Sequence, residues 1–223
     1  MSSTTELWAD VWRDALIEAE QKHELPLDQW RTAGRRTKAN PDGETLDWWQ
    51  GDGLQQIEKY KEWLETCGWE IATMPDGKPG IEWEAQVTFG GSPIRLIVDG
   101  IYSNGQDWIV VDYKTGSRTP TGVMQLGLYA SAIEQAYDVR PKWGAYYMTR
   151  KAALDDLTDL TPWGIDFFDQ QFAAMNAYMG TGFFPANVGD HCSYCSYRDY
   201  CIAVNGSKSA KYPMNNPMKE GKS

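Results

Sequence analysis

IRLIVDGIYSNGQDWIVVDYKTG, residues 94–116, holds two runs rich in β-branched and aromatic residues on either side of the turn cluster SNGQ, and one aspartate interrupts each run. Such runs bounded by turn residues predict strands over Ile94–Tyr102 and Asp107–Thr115. IEWEAQVTF, Ile81–Phe89, sits beyond the turn cluster GGSP and predicts a third, giving an antiparallel meander. A two-residue turn at Asn104-Gly105 would pair Ser103 with Gln106, setting Asp99 opposite Val110 with Asp112 as its diagonal neighbour on one face. Pairing Phe89 with Ile94 would bring Glu84 opposite Asp99 on that face. Period-two alternation adds Lys114 beside Asp112 and leaves Tyr113 to offer its backbone carbonyl.

Three carboxylates and one ammonium on one face suit phosphodiester chemistry. A hard cation such as magnesium takes oxygen ligands, so Asp99, Asp112 and the Tyr113 carbonyl form a candidate metal site, with Glu84 assisting. A metal acidifies water and neutralises charge on a phosphate, while a nearby lysine orients that water. An Asp-x-Lys at a strand end is by itself an ordinary surface pair. Asp99 in LIVDGI and Asp112 in IVVDYK weigh more, because a carboxylate buried in an apolar run without a partner is costly. Glu84 weighs less, being a polar residue on an alternating, half-exposed strand.

Working outward, helical periodicity covers residues 6–24, 46–66, 122–137 and 163–179, a polar connection covers 28–45, and KWGAYYMTR, residues 142–150, alternates as a fourth strand. The predicted order is α-βββ-α-β-α, a mixed α/β (α+β) fold. Gln125 and Tyr129 lie one turn apart on the third helix and can both face the strand-borne site. A length of 223 residues with 42% hydrophobic content predicts one domain over 1–205: a helical part at 1–70, a core at 80–150, and a final helix with a cysteine motif at 162–202. Residues 206–223 lack an apolar period and read as a disordered tail.

The cysteine motif is GDHCSYCSYRDYC, in which Cys192, Cys195 and Cys201 follow a Cys-x2-Cys-x5-Cys spacing. Metal ligation is the favoured reading over disulfides, given a chain large enough for a conventional core and no secretory signal. The fourth ligand is open between Cys67 and His191, as is a three-cysteine site; Cys67 can equally be a small buried thiol.

No apolar stretch approaches the roughly 20 residues needed to span a bilayer, and the reading is a cytoplasmic protein. The net charge of -10 is an awkward sum for a nucleic-acid partner, but phosphates respond to local patches. Candidate patches are Arg35, Arg36 and Lys38, then Arg118, then Arg140, Lys142, Arg150 and Lys151. Eleven tryptophans are spread along the chain and read mostly as core; exposed ones can stack single-stranded bases.

VDGI at 98–101, VVDYKTG at 110–116 and QLGLYA at 125–130 together resemble the PD-(D/E)xK nucleases of the RecB-like branch, which includes the CRISPR-associated Cas-four exonucleases and similar phage-encoded enzymes. The resemblance implies a restriction-endonuclease-like core and a magnesium- or manganese-dependent DNA exonuclease working in recombination, repair or phage DNA processing, with a recombination or DNA-processing protein as its candidate partner. It assigns metal binding to Asp99 and Asp112, catalysis to Lys114, and completion of the site to Gln125 and Tyr129. It also implies a 4Fe-4S cluster on Cys192, Cys195, Cys201 and Cys67, with zinc as the alternative. Many members carry a metal-binding histidine on a helix before the first strand; the helix here has none, and Gln55 or Glu58 stands in that region. The other reading is a metal-stabilised DNA-binding or recombination-accessory protein with a weakened site.

Overall fold

A computed structural model describes residues 3–30, 36–38, 40–182 and 184–208. Arg35 of the first basic cluster, Phe183 and the greater part of the tail, 209–223, lie outside the described residues. Gly206 N–H still donates to the Cys201 carbonyl at 3.0 Å and Lys208 N–H to that of Asp199 at 2.7 Å, so the chain remains bonded to its preceding turns through 208. The chain divides into two compact units, Met1–Val87 with Ile94–Phe167, and Thr88–Pro93 with Phe168–Ser223.

The first unit opens with helices α1 (Thr4–His23) and α2 (Leu46–Thr66). Each starts where its cap predicts: Ser3 Oγ accepts from Glu6 N–H while Glu6 returns the bond to Ser3 N–H, and Thr45 Oγ1 accepts from Trp48 N–H. The strands follow as β1 (Glu70–Ile71), β2 (Ile81–Phe89), β3 (Ser92–Ser103) and β4 (Trp108–Lys114). Helix α3 (Met124–Tyr137) then returns the chain to β5 (Trp143–Met148), with β6 (Ala153–Leu154) and β7 (Thr158–Asp159) behind it. The mixed α/β order is thus the expected one with three added two-residue strands. In the single sheet β1 and β2 both pair with β3, β4 lies between β3 and β5, and β6 and β7 both pair with β5. β4 and β5 are parallel, the geometry that requires a crossover such as α3.

β4 is covered on both faces. Ile109 and Val111 join Tyr102 and Tyr147 in a buried cluster, against which Tyr60, Trp63 and Leu64 of α2 pack. The opposite face, with Val110 and Asp112, lies toward α3, whose Leu126, Ala130 and Ile133 are fully buried. Among the described residues only Trp83 of the tryptophans is buried, which corrects the reading of most of them as core.

The β3–β4 register also differs from expectation. Gly100 pairs with Val111, Ile101 with Val110, Tyr102 with Ile109 and Ser103 with Trp108, a slip of two residues. The cause is the loop. Asn104 Oδ1 accepts from the N–H groups of Gln106 (3.0 Å) and Asp107 (2.8 Å), and Ser103 Oγ accepts from Gly105 N–H (3.1 Å), so four residues connect the strands instead of two. An even slip preserves the faces, and Asp99 and Asp112 each lie one step beyond the last pair, Gly100 with Val111.

Arg150, in the short turn after β5, ties three elements together. Its guanidinium donates to both carboxylate oxygens of Glu44 (2.8 and 3.0 Å) and to the Thr115 carbonyl (2.7 Å), and lies over the rings of Trp48 and Trp49. The Glu44 carboxyl is held below its usual range first by the Arg150 hydrogen bond, which with the Arg150 charge outweighs the opposing effect of burial. A depressed folded-state value contributes stability that is present above the ordinary glutamate pKa and is lost as pH falls through the depressed one. Glu44→Gln is therefore expected to cost about 1.5 kcal/mol at neutral pH. The gap in Tm between variant and native protein should shrink as thermal melts are taken down to about pH 3; a constant gap would assign the effect to packing.

The second unit contains the tip of the β2–β3 hairpin and helix α4 (Ile165–Met179) from Phe168 onward. Gly90 N–H donates to Asp169 Oδ1 (2.8 Å) and Asn176 Nδ2 donates to the Gly90 carbonyl (3.1 Å). Phe89 lies against Phe168 and Phe172, ring centroids 5.7 and 6.1 Å away.

Candidate active site

Strand β4 presents Asp112 and Lys114 on the face toward α3, and β3 presents Asp99 close to Asp112. Lys114 Nζ lies 2.5 Å from Asp112 Oδ2. From α3, Gln125 Nε2 donates to Asp112 Oδ1 (2.9 Å) and to the Tyr129 hydroxyl (2.7 Å), while its Oε1 accepts from Lys114 Nζ at 3.4 Å. Asp99 Oδ2 accepts from Tyr113 N–H at 2.8 Å, which clips the two strands together at the site. Five of the six side chains singled out for chemistry therefore converge here: Asp99, Asp112, Lys114, Gln125 and Tyr129.

Glu84 does not join them. It is exposed on β2 and paired with Arg95, with Arg95 Nε 2.6 Å from Glu84 Oε1. That arginine offers a closer partner, and the pair lies out on the solvent side of the hairpin. Nor does the preceding helix supply a ligand: Gln55 is exposed and Glu58 pairs with Lys61 at 3.2 Å. His23 is exposed in the last turn of α1, and His191 Nε2 sits 2.7 Å from the Asn187 carbonyl.

Asp112 carries the electrostatic tension of the site. It is one of only two buried polar or charged residues among those described, at 2% exposure. Burial pushes its carboxyl above the usual carboxylate range; the hydrogen bond and charge of Lys114 pull it back without cancelling the rise, and Asp99 adds to it. For Lys114 burial is the largest influence and acts downward, but Asp112, then Tyr146 and Asp99, outweigh it and keep the ammonium above its ordinary value. Lys114 thus stays charged at neutral pH. Lys114 Nζ, 2.5 Å away, is the counter-charge of the buried Asp112 Oδ2. A buried carboxylate beside a second carboxylate is a donor pair that fits a hard divalent cation.

Tyr146 of β5 is a part of the site that sequence reading missed. It sits opposite Asp112 in the parallel register, its ring 5.5 Å from Lys114 Nζ, and its hydroxyl donates to the Gly122 carbonyl at 2.7 Å. Only the β4–β5 register could have found it, since an aromatic residue in an apolar strand has no chemical signature of its own. On the other face of β4, the Tyr113 hydroxyl meets those of Tyr102 and Tyr60, and Tyr60 to Tyr102 measures 2.6 Å. That network fixes the strand segment between the two charged residues.

Cys67 belongs to the first unit and Cys192, Cys195 and Cys201 to the second. Cys67 Sγ bonds within its own turn, accepting from Trp69 N–H at 3.4 Å, and Cys192 Sγ accepts from Gly189 N–H at 3.5 Å. Cys192 lies inside a short 3-10 turn over Asp190–Tyr194, while Cys195 and Cys201 stand before and after the next one, over Arg198–Tyr200. Among the described residues no group of three or more His, Cys, Asp or Glu side chains is placed to hold a metal ion.

Comparison with known proteins bears on the strand-borne site. A family model described as the PD-(D/E)XK nuclease superfamily matches residues 5–202. Gene 69 protein of Mycobacterium phage D29 is 34% identical over 155 residues, covering 67% of this chain and 57% of that protein. Gene 69 protein of Mycobacterium phage L5 is 28% identical over 239 aligned positions, covering 86% of this chain and 81% of its own length. The chain thus spans little more than half of the first relative.

Proposed function

Because the chain belongs to the PD-(D/E)XK nuclease superfamily, we propose that it is a divalent-metal-dependent deoxyribonuclease of the RecB-like branch that acts as an exonuclease on DNA ends. The observation that carries this reading is Asp112: buried, close to Asp99, and held by Gln125 and Lys114. Its magnesium or manganese would be held by Asp99, Asp112 and the Tyr113 carbonyl. When bound, such a cation supplies Lewis acidity toward water and offsets charge at the phosphate. Lys114 keeps its proton, so its part is to donate a hydrogen bond that orients the attacking water and to stabilise charge growing on the phosphate, not to accept a proton. Gln125, braced by Tyr129, fixes the carboxylate rotamer of Asp112. Glu84 can assist only by exchanging Arg95 for a water.

Relatedness to phage proteins fits a role in phage DNA recombination, repair or processing within the host cytoplasm, with DNA as substrate and one domain across 1–205 carrying the activity. No helix among the described residues is long and apolar enough to cross a membrane. The test is incubation of the purified protein with linear and covalently closed circular DNA, with and without manganese. Metal-dependent loss of linear DNA alone is expected, abolished by Asp112→Ala; cleavage of closed circles would overturn exonuclease action. Intact DNA binding with no cleavage under any metal would instead establish the accessory-protein reading.

The cysteine motif supports a second metal centre by spacing alone. On this reading Cys192, Cys195, Cys201 and Cys67 close around a 4Fe-4S cluster when iron and sulfide are supplied. Protein prepared anaerobically is expected to be brown and to lose its visible absorbance in Cys195→Ser. Colourless protein containing one equivalent of zinc would exchange the cluster for the alternative metal.

A further inference from the structure

The loop that joins the two halves of the candidate site, residues 115–123, runs from Lys114 at the end of β4 to α3, where Gln125 is the second residue. Little in the loop itself fixes that span. Its residues are exposed or half-buried, Gly116 and Gly122 stand among them, and α3 begins after Val123 without a side-chain capping bond. A flexible connection of this kind brings its ends to many separations at little difference in free energy. The span is held from β5 and the turn after it. Thr149 Oγ1 donates to the Lys114 carbonyl (3.3 Å), Arg150 Nε to the Thr115 carbonyl (2.7 Å), Lys151 Nζ to the Thr119 hydroxyl (3.3 Å) and the Tyr146 hydroxyl to the Gly122 carbonyl (2.7 Å).

Tyr146 differs from the other three in its place. It lies within β5, buried at 4% exposure, and its pairing with Asp112 in the parallel register puts its ring on the face that carries the carboxylate. The ring centroid is 5.5 Å from Lys114 Nζ, within reach of a cation–π interaction. The ammonium therefore stands between Asp112 Oδ2 at 2.5 Å, Gln125 Oε1 at 3.4 Å and this ring. A phenylalanine at 146 would supply the same ring. What the tyrosine adds is the bond to the Gly122 carbonyl, two residues before α3 starts. One side chain thus bears on the ammonium at one end of the loop and on the helix start at the other.

We infer that Tyr146 is a positioning residue that sets Lys114 and Gln125 relative to each other, its ring placing the ammonium and its hydroxyl placing the first turn of α3. The inference rests on the nuclease reading, under which those two groups serve the attack on a phosphodiester. Tyr146 acts through them and not on the DNA. Loss of the hydroxyl would loosen the turn that carries Gln125, and with it the bond from Gln125 Nε2 to Asp112 Oδ1 at 2.9 Å. Loss of the ring would leave the ammonium free to leave the direction in which it meets the attacking water. Small displacements of this kind lower turnover without removing any reacting group.

Two substitutions in the full chain separate the two halves of the role: Tyr146→Phe removes the hydroxyl and keeps the ring, and Tyr146→Leu removes both. Amide hydrogen exchange in EDTA reads the hydroxyl without any reaction. Tyr146→Phe is expected to speed exchange about 5-fold at Gly127 N–H, which donates to the Val123 carbonyl at 3.1 Å in the first turn of α3, and to leave the buried Ile133 of the same helix unchanged. In manganese-dependent cleavage of linear DNA, kcat should fall about 5-fold in Tyr146→Phe and about 30-fold in Tyr146→Leu, with KM unchanged. Lys114→Gln removes the ammonium that the ring places, so Tyr146→Leu added to it should cost only the hydroxyl's share, about 5-fold. The full loss recurring in that background would make Tyr146 a packing residue and overturn the inference; so would native exchange at Gly127 in Tyr146→Phe. Should Tyr146→Leu fail to fold, Tyr146→Phe, which keeps the packing, still decides by its exchange and its kcat. Native protein that cleaves nothing overturns the nuclease reading, and the exchange measurement then decides the placement of α3 by itself. Native protein that cleaves while both variants match it overturns only the role of Tyr146.

Discussion

Lys114→Ala is expected to lower metal-dependent cleavage of linear DNA by about 10²–10³-fold, the loss typical when one preorganised donor is removed from a site of developing charge. The effect should fall on kcat and leave DNA affinity nearly unchanged, because Lys114 sits mostly shielded against Asp112 and Gln125. The substitution also strips a buried carboxylate of its counter-charge, so the fold needs its own control. Circular dichroism and a thermal melt supply it. Lys114→Gln is the companion variant: it keeps a hydrogen-bond donor near Asp112 but no charge, and should be nearly as inactive while melting closer to the native protein. Full activity in Lys114→Gln would show that the charge is dispensable. Unchanged cleavage in both variants would remove Lys114 from the mechanism.

The largest expected effect on stability falls on a residue with no part in the chemistry, Gly90. Its φ of +55° is a left-handed conformation, and a Cβ would stand 2.3 Å from Ala173 N and 2.5 Å from the Asp169 carbonyl oxygen. Both obstacles are backbone atoms of α4, which cannot rotate aside. Left-handed strain of about 1 kcal/mol and overpacking of about 2 kcal/mol give a cost near 3 kcal/mol for Gly90→Ala. For a chain of this size that lowers Tm by about 6–12 °C. Gly91→Ala is the matched control, since it shares a positive φ of +80° but a Cβ there meets nothing within 4 Å. Equal melting of the two variants would show that the hairpin tip is not seated on α4.

The central strands were legible because their apolar runs are long and bounded by turn residues. β1, β6 and β7 were not, since two residues cannot display a period. The register error at Asn104 has a definite origin: Asn-Gly is a strong two-residue hairpin signal, yet the same Asn side chain can cap two following N–H groups and lengthen the loop. The convergence of Asp99, Asp112, Lys114, Gln125 and Tyr129 survived that error because the slip was even. Glu84 was placed by a rule of facing positions that ignores competition. Arg95, also on the hairpin, captures it. Tryptophan content suggested a core, whereas α1 keeps Leu7, Val11 and Ile17 exposed and lends its indoles to a cavity instead.

The closeness of Asp99 to Asp112 makes the candidate site a frustrated spot in the folding landscape. Like charges across an antiparallel ladder repel, and here one of them is also desolvated. On the proposed metal-binding reading, a divalent ion would act on the protein as a thermodynamic ligand as well as on its substrate, because offsetting the repulsion between the two carboxylates would stabilise only the folded chain.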